Sequence, residues 1–159
     1  MIKSVSGDIL LAKTDAIAHG IAPMDDFKNG LALSLRERWP ALYKDFRHFC
    51  HVGMPKEGTL WVWKGPGTYS IYNLFTQDAP PSQGQTPGKA TASNVNHALH
   101  ELAKQLKKDG LKSLSITKLA TGVGGLKWED VKPLVENHLG PLDIEVHVYE
   151  NFQVGVAAD

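Results

Sequence analysis

The sequence has little of several features that mark large protein classes. Its 159 residues contain one cysteine, Cys50, so no disulfide can form within the chain, as is typical of proteins in the reducing cytoplasm. No apolar run approaches the roughly 18 residues that a membrane span needs, and the first residues lack the apolar segment of a signal peptide. Seventeen basic residues balance 17 acidic ones, so net charge gives no general attraction to nucleic acid or to a membrane. We expect a cytoplasmic monomer, one domain over residues 1–159, that binds neither membranes nor specific nucleic-acid sequences and holds any anion by local geometry.

Short β-rich runs alternate with helical patterns along the chain. The pattern predicts strands at 2–5, 16–18, 59–63, 69–75, 114–117 and 144–149, and helices starting near 30 and covering 42–50, 91–109 and 128–139. The third and fourth strands flank Lys64–Gly67 and predict a hairpin, and residues 77–88, rich in Pro, Gly, Ser and Gln, predict a long loop. This alternation predicts an α/β fold with a mixed, mostly parallel sheet covered by helices on both faces.

A glycine-rich loop, residues 120–126 (Ala-Thr-Gly-Val-Gly-Gly-Leu), joins a predicted strand to a predicted helix. Glycines let the backbone approach a ligand closely, and successive free N–H groups beside a helix N-terminus form an anion cradle. The spacing matches neither a Walker A motif nor the dinucleotide fingerprint. A plain tight turn is the alternative.

Two further segments follow strands. The loop from His19 to Gly30 leads from a strand into a helix, and ligands of open α/β sheets bind outside the carboxyl ends of strands. The alternative is an ordinary strand-to-helix connection. Asp8, after the first strand, is placed to accept a hydrogen bond from an adenine amino group, or else to cap the local backbone.

These segments, in this order and followed by Trp128-Glu129-Asp130-Val131 and the strand Val146–Tyr149, resemble the macrodomain family over nearly the whole chain. The likeness is to the branch that contains the terminal ADP-ribose glycohydrolase and the DNA ADP-ribosyl glycohydrolase antitoxins. It implies a three-layer α/β/α macrodomain that binds ADP-ribose or an ADP-ribosylated macromolecule, without a cofactor or a metal.

The resemblance also implies roles for individual residues. Asp8 and Ile9 contact adenine, Phe152 just past the last strand stacks on it, and the remaining residues surround the diphosphate and the distal ribose. The residues so implied are His19, Gly20, Ile21, Gly30, Leu31, Ala120, Thr121, Gly122, Val123, Gly124, Gly125 and Leu126.

The chain departs from that branch where catalysis is concerned. The terminal ADP-ribose glycohydrolase uses a lysine and an aspartate at positions that Gln77 and Gly124 occupy here. That covalent mechanism therefore does not transfer. A hydrolase would instead position water against C1″ of the distal ribose beside an acid, for which Asp25 and Asp26 are the candidates and Asp78 a further one.

Two function classes remain open at this stage. One is a hydrolase that removes ADP-ribose from a macromolecule or processes a derivative such as the 1″-phosphate. The other is a reader that binds ADP-ribose without chemistry. A single domain leaves a reader nothing to recruit, which favours the hydrolase, whereas Gln77 and Gly124 weigh against it. His48 and His51 around Cys50, and His97 with His100, do not add up to a four-ligand zinc site.

Overall fold

The computed structural model describes residues 1–65, 69–82, 85 and 87–158. Within them the chain forms six strands and four helices. The strands are β1 Ile2–Gly7, β2 Ala16–Ile21, β3 Leu60–Lys64, β4 Ser70–Phe75, β5 Ser113–Thr117 and β6 Glu145–Phe152. The helices are α1 Gly30–Arg38, α2 Pro40–Gly53, α3 Ala92–Asp109 and α4 Trp128–Leu139.

The strands form one sheet in the order β1-β6-β5-β2-β4-β3. Every neighbouring pair is parallel except β3 with β4, which is antiparallel. The predicted mixed, mostly parallel sheet and its hairpin are thus confirmed. Because β2, β4, β5 and β6 all run the same way, their carboxyl ends meet at one edge of the sheet, where a parallel α/β sheet offers its ligand site.

Helices cover both faces of the sheet. On one face α3 and α4 bury an apolar stripe against the strands, including Val95, Leu99, Val131 and Val135. On the other face α1 and α2 bury a second, aromatic-rich core. The three-layer arrangement follows from these two cores, since each strand of the central sheet needs an apolar partner on either side.

Local signals explain where the helices begin and end. The Thr91 side chain accepts a hydrogen bond from the Asn94 amide at 3.1 Å, which caps α3, and Gly110 ends that helix in the left-handed region at φ 68°. Pro40 is the first residue of α2, a position at which a helix does not need the backbone N–H that proline lacks.

Two predicted strand ends were wrong. The second strand continues beyond Ala18 to Ile21, because His19, Gly20 and Ile21 pair in register with β4. The last strand continues to Phe152, which pairs with Gly7 of β1. The predicted turn at Lys64–Gly67 reaches residues 66 and 67, and the predicted loop at 77–88 includes 83, 84 and 86; these positions lie outside the described residues.

The segment between β2 and α1 is fixed by one aromatic side chain. Phe27 is fully buried although its backbone is in the left-handed region at φ 55°. Its ring lies 4.8 Å from that of Phe46 and 5.5 Å from that of Tyr43, between ring centroids. Burial of this ring therefore holds residues 22–29 against α2, and the residues of this segment keep a defined position beside the sheet edge.

We expect Phe27→Ala to lower the free energy of unfolding by about 3–5 kcal/mol, as is usual when a buried aromatic ring is removed and the space does not close. Urea unfolding followed by circular dichroism measures this directly. Leu33→Ala, in the same region but partly exposed on α1, is the matched control and should change stability by less than about 1 kcal/mol. Equal losses for the two variants would contradict the anchoring role of Phe27.

Within the described residues, none of the helices combines the length and the apolar character needed to cross a bilayer.

Candidate functional site

A cleft lies at the carboxyl ends of the parallel strands and has two compartments. The first, the polar compartment, is a cavity of about 290 Å³. It lies between the end of β2, the start of α1, the end of β5 and the glycine-rich loop. Its walls include His19, Gly20, Ile21, Asp25, Asn29, Gly30, Leu31, Ala32, Gln77, Pro87, Thr117, Lys118, Ala120, Gly122, Val123 and Gly124.

The second, the apolar compartment, is a cavity of about 520 Å³ beside the first. Ile9, Leu31, Tyr149 and Phe152 give it an apolar and aromatic lining, and Phe152 is 60% exposed at its rim. Both compartments are bordered by Gly30, Leu31, Thr117 and Lys118. The two cavities therefore adjoin and form one elongated cleft with an apolar end and a polar end.

The glycine-rich loop offers unpaired backbone donors to the polar compartment. The Gly125 amide donates to the Gly122 carbonyl at 3.0 Å and the Leu126 amide to the Ala120 carbonyl at 2.9 Å, which closes the loop on itself. Among the described residues, the amides of Thr121, Gly122, Val123 and Gly124 have no acceptor. Consecutive N–H groups in this state are what an anion-binding cradle requires.

The opposite wall offers a second set of donors at the start of α1. The first amides of a helix have no partner within the helix, and the capping residue Asn29 makes no side-chain bond to them. Gly30, Leu31 and Ala32, all in the first turn, line the polar compartment. The positive end of the helix dipole thus faces the glycine-rich loop across the cleft.

The glycines of the loop differ in what they require. A Cβ on Gly124 would lie 2.6 Å from the Ala120 carbonyl oxygen, so this position needs glycine for steric reasons. Gly125 has φ +79° and needs glycine for its backbone conformation. A Cβ on Gly122, by contrast, would meet nothing within 4 Å. Gly122 therefore has free space beside its Cα in the wall of the compartment, whereas Gly124 and Gly125 are needed for the shape of the turn.

Asp25 is the acid that the fold places in the polar compartment. Its Oδ1 accepts a hydrogen bond from the Phe27 amide at 2.8 Å, so the buried Phe27 fixes its direction. Burial raises the pKa of the Asp25 carboxyl above its ordinary value, an effect opposed by the Phe27 amide and increased by the neighbouring Asp26 charge. A carboxyl group tuned in this direction suits proton transfer.

The two other candidate acids do not line the cleft. Asp26 faces a separate cavity of about 290 Å³ between α1 and α2, and its Oδ1 accepts the Lys28 amide at 3.2 Å. Asp25 borders this cavity as well as the polar compartment, whereas Asp26 does not border the polar compartment. Asp78 is exposed beyond β4 and belongs to neither compartment.

Asp8 is engaged in holding the backbone. Its Oδ1 accepts from the Leu10 amide and its Oδ2 from the Gly155 amide, each at 3.0 Å. These bonds cap the short 3-10 turn Ile9–Leu11 and fasten the segment after β6 to the end of β1. The sequence left open whether Asp8 caps the local backbone or contacts adenine. The structure shows the capping hydrogen bonds. Asp8 itself is not part of the wall of the apolar compartment, whereas its neighbour Ile9 is.

The structure brings most of the predicted binding residues into the cleft. Those it leaves out of the walls are Asp8, Thr121, Gly125 and Leu126. Thr121 turns its hydroxyl to the Lys118 carbonyl at 2.9 Å, and Leu126 packs against the core below α4. The start of α4, which was expected to help hold an anion, is likewise absent from the walls; Glu129 and Asp130 in its first turn already compensate the helix dipole.

Several wall residues were not anticipated. They are Ser34, Pro87, Thr117, Lys118, Tyr149, Glu150 and Gln77, the last noted before only as a departure from a catalytic lysine. Thr117 ends β5, Lys118 comes directly after it, and Gln77 follows β4, so the rule that ligands bind at strand carboxyl ends could have found them. Pro87 follows the long loop, and no local pattern marks it as part of a site.

Beneath the cleft, His19 of β2 is buried against Asn73 of β4, with 2.7 Å between His19 Nε2 and Asn73 Oδ1. Burial lowers the pKa of His19 to about 4, and the hydrogen bond that His19 donates to Asn73 offsets this in part. The imidazole is therefore neutral at physiological pH.

The depressed pKa of His19 predicts a loss of stability in mild acid. Since the unfolded chain takes up the proton near pH 6.5 and the folded chain only near pH 4, stability is complete above pH 6.5. It falls as pH is lowered to 4, by an amount on the order of 3 kcal/mol. Urea unfolding at half-unit pH steps measures the slope. His19→Phe should flatten it; an unchanged slope would mean that His19 is not the group responsible. His138, whose pKa burial also lowers, adds to the slope in both proteins and cancels in the comparison.

The described residues contain no group of three His, Cys, Asp or Glu side chains close enough to hold a metal ion. Cys50 is buried, and that burial raises the pKa of its thiol, which makes it a poor nucleophile.

No protein-family model matches the chain. The chain is 26% identical over 152 residues to the DNA ADP-ribosyl glycohydrolase of Thermus aquaticus, covering 94% of this chain and 41% of that protein. It is 27% identical over 149 residues to the human ADP-ribose glycohydrolase OARD1, covering 93% and 90%. The chain thus spans about two fifths of the bacterial relative and most of the human one.

Solved structures agree with these likenesses. The macrodomain of Thermus aquaticus DarG superposes with a TM-score of 0.81 at 25% identity, covering 94% of this chain and 98% of that one. Thermosipho africanus DarTG, solved in complex with ADP-ribose, superposes with a TM-score of 0.82 at 20% identity, covering 98% of this chain and 42% of that one.

Proposed function

We propose that this chain, which has the macrodomain fold and is related at 26–27% identity to a DNA ADP-ribosyl glycohydrolase and to the ADP-ribose glycohydrolase OARD1, binds ADP-ribose in its two-compartment cleft and hydrolyses an ADP-ribosyl bond. Macrodomain ancestry alone does not decide between binding and chemistry. Residues 1–159 act in this proposal as one macrodomain.

The observation that carries the binding proposal is the pair of facing donor sets. The unpaired amides of Gly122–Gly124 and those of the first turn of α1 belong to residues that line the same cavity. A net charge of zero gives no diffuse attraction, so a diphosphate is held here by backbone N–H groups. Lys118, at the border of both compartments, adds one cation where the diphosphate would pass.

The two ends of the cleft suit the two ends of ADP-ribose. Adenine fits the apolar compartment, where the Phe152 ring can stack on it and Ile9 and Leu31 contact its faces. The distal ribose then enters the polar compartment, near Gly20, Asp25 and Gln77. This orientation places the phosphates between the two donor sets and the purine on an apolar surface.

The hydrolase proposal rests on Asp25. In the protonated form favoured by its raised pKa, its carboxyl group donates a proton to the leaving group at C1″. Water then adds to C1″ as the bond to the leaving group breaks, and the proton that this water loses restores the acid. As an anion, the same group would stabilise positive charge that develops on the ribose ring.

A substrate panel tests the hydrolase proposal. Purified protein is incubated with ADP-ribosylated DNA, ADP-ribosylated protein and ADP-ribose 1″-phosphate, and products are resolved by chromatography. We expect release of ADP-ribose from at least one of the macromolecular substrates. Turnover of the 1″-phosphate alone would replace the glycohydrolase proposal by a phosphatase.

A specific observation favours the reader as the second candidate. Gln77 and Gly124 occupy the positions at which the resemblance implies a lysine and an aspartate, and both line the polar compartment without an ionisable group. ADP-ribose binding with no turnover of any panel substrate is the outcome that would establish the reader.

A further inference from the structure

Below the polar compartment, His19 and Asn73 form a buried pair whose hydrogen atoms can be placed. The two residues lie directly opposite each other on β2 and β4, and the exposed fraction of their side chains is 2% and 0%. Asn73 Nδ2 donates to the Trp61 carbonyl at 3.1 Å and to the Ile71 carbonyl at 3.2 Å. Because both carbonyls can only accept, the orientation of the Asn73 amide is fixed.

The orientation of Asn73 decides which nitrogen of His19 carries hydrogen. Asn73 Oδ1 lies 2.7 Å from His19 Nε2 and can only accept, so Nε2 is the protonated nitrogen. A neutral imidazole carries one hydrogen. His19 Nδ1 is therefore left with a lone pair and acts as a hydrogen-bond acceptor.

Nothing in the described part of the protein uses that lone pair. His19 makes a single hydrogen bond, through Nε2, and the ring of Phe27 packs at its edge with 6.2 Å between centroids. Among the described residues, Thr76 Oγ1 is the fully enclosed polar side-chain atom that lacks a hydrogen-bond partner. His19 Nδ1 also lacks a partner but is not fully enclosed, so it keeps some contact with solvent. His19 also lines the polar compartment. An acceptor that lines the cleft without a protein partner can accept a hydrogen bond from a ligand that carries a donor, and such a ligand gains affinity.

We infer that Asn73 holds His19 as the Nε2–H tautomer, and that His19 Nδ1 accepts a hydrogen bond from a hydroxyl group of the distal ribose. Diphosphate oxygens only accept and would be repelled by the lone pair, so the group placed there must carry a donor. His19 then selects ligands that continue beyond the diphosphate into a sugar. The hydroxyl assignment rests on the proposed function, whereas the tautomer rests on the hydrogen bonds of Asn73 alone.

Paired titrations test the selection. His19→Phe keeps a ring against Phe27 and removes the acceptor. We expect it to weaken ADP-ribose binding by roughly 5- to 10-fold, the worth of one neutral hydrogen bond. The affinity for ADP, which has no distal ribose, should stay within about twofold by the same reasoning. Equal losses for ADP and ADP-ribose, or none for either, would overturn the inference.

Nitrogen-15 spectra of the histidine rings in the wild-type protein provide a test that needs no variant. Near neutral pH, we expect His19 Nδ1 at the shift of an unprotonated nitrogen, and we expect ADP-ribose but not ADP to move it. A protonated Nδ1, or an Nδ1 that ADP-ribose leaves unmoved while bound, would overturn the inference. If the wild-type protein binds ADP and ADP-ribose equally, the sugar selection fails while nucleotide binding stands; if it binds neither, the proposed function fails and the tautomer is judged by the spectra alone.

Discussion

Gly122→Glu should abolish ADP-ribose binding, with an affinity loss of at least 100-fold in calorimetry. The backbone of Gly122 is not in the left-handed region, and an added Cβ meets nothing within 4 Å, so the variant should fold. Its carboxylate would lie in the polar compartment among the amides that hold the diphosphate. A negative charge beside the phosphates costs several kcal/mol of binding free energy, because like charges are brought together away from bulk water.

Three matched variants separate charge from shape. Gly122→Gln has the same size without the charge and should retain more affinity than Gly122→Glu. Gly122→Ala should bind nearly as well as the wild type. Gly124→Ala should lower stability, because its Cβ would lie 2.6 Å from the Ala120 carbonyl oxygen. Tight ADP-ribose binding by a folded Gly122→Glu protein would mean that the diphosphate lies elsewhere.

Asp25→Asn should reduce turnover of whichever substrate is hydrolysed by roughly 100-fold or more, the usual contribution of a general acid or base. Asparagine retains an oxygen that can accept from the Phe27 amide, so the loop should keep its course. ADP-ribose affinity should therefore change by less than about threefold, since the amide still fills the same space. Single-turnover kinetics together with calorimetry measure both quantities.

Asp26→Asn is the control for this prediction. Asp26 carries the same side chain one residue away and, unlike Asp25, does not line the polar compartment. Its loss should change the rate by no more than about threefold, as expected of a residue outside the reacting centre. If Asp26→Asn were as damaging as Asp25→Asn, the loop would have a different orientation in the active protein. If neither variant lost activity, another group would be the acid.

The helices and the sheet were largely predictable because their signals are local. The apolar stripe of α3, with Thr91 before it and Gly110 after it, sets that helix to within a residue, and α4 runs from Trp128 to Leu139 as its periodicity predicts. Such signals depend on neighbours three or four residues away. These local signals therefore predict the helices without any knowledge of the tertiary contacts.

The site was predictable only in part because its geometry depends on distant segments. His19–Ile21 resembled the start of a loop, yet they belong to β2 because β4, some 54 residues further along the chain, pairs with them. Asp8 resembled a ligand contact, but Gly155 near the other end of the chain occupies one of its oxygens. The sequence assigned anion contacts to the starts of both α1 and α4, and only the start of α1 lines the polar compartment. Contacts between segments that are far apart in the sequence determine each of these cases, and no local sequence pattern predicts them.

The different positions of Asp25 and Asp26 likewise depend on tertiary contacts that the sequence does not reveal. Both acids stand in one short loop, and the sequence gives no reason to prefer either. The amide of the buried Phe27 holds the Asp25 carboxyl where it borders both the polar compartment and the cavity between α1 and α2, whereas Asp26 borders only the second of these.

Calorimetric titration of the wild-type protein with ADP-ribose tests the central claim most directly, since the account stands on a cleft that holds this ligand by backbone amides. We expect saturable binding at one site per chain with a Kd well below 1 mM, tighter than that of ADP, and with little dependence on salt between low and physiological ionic strength, because amides rather than surface cations hold the diphosphate. Absence of heat at millimolar ADP-ribose would contradict the account.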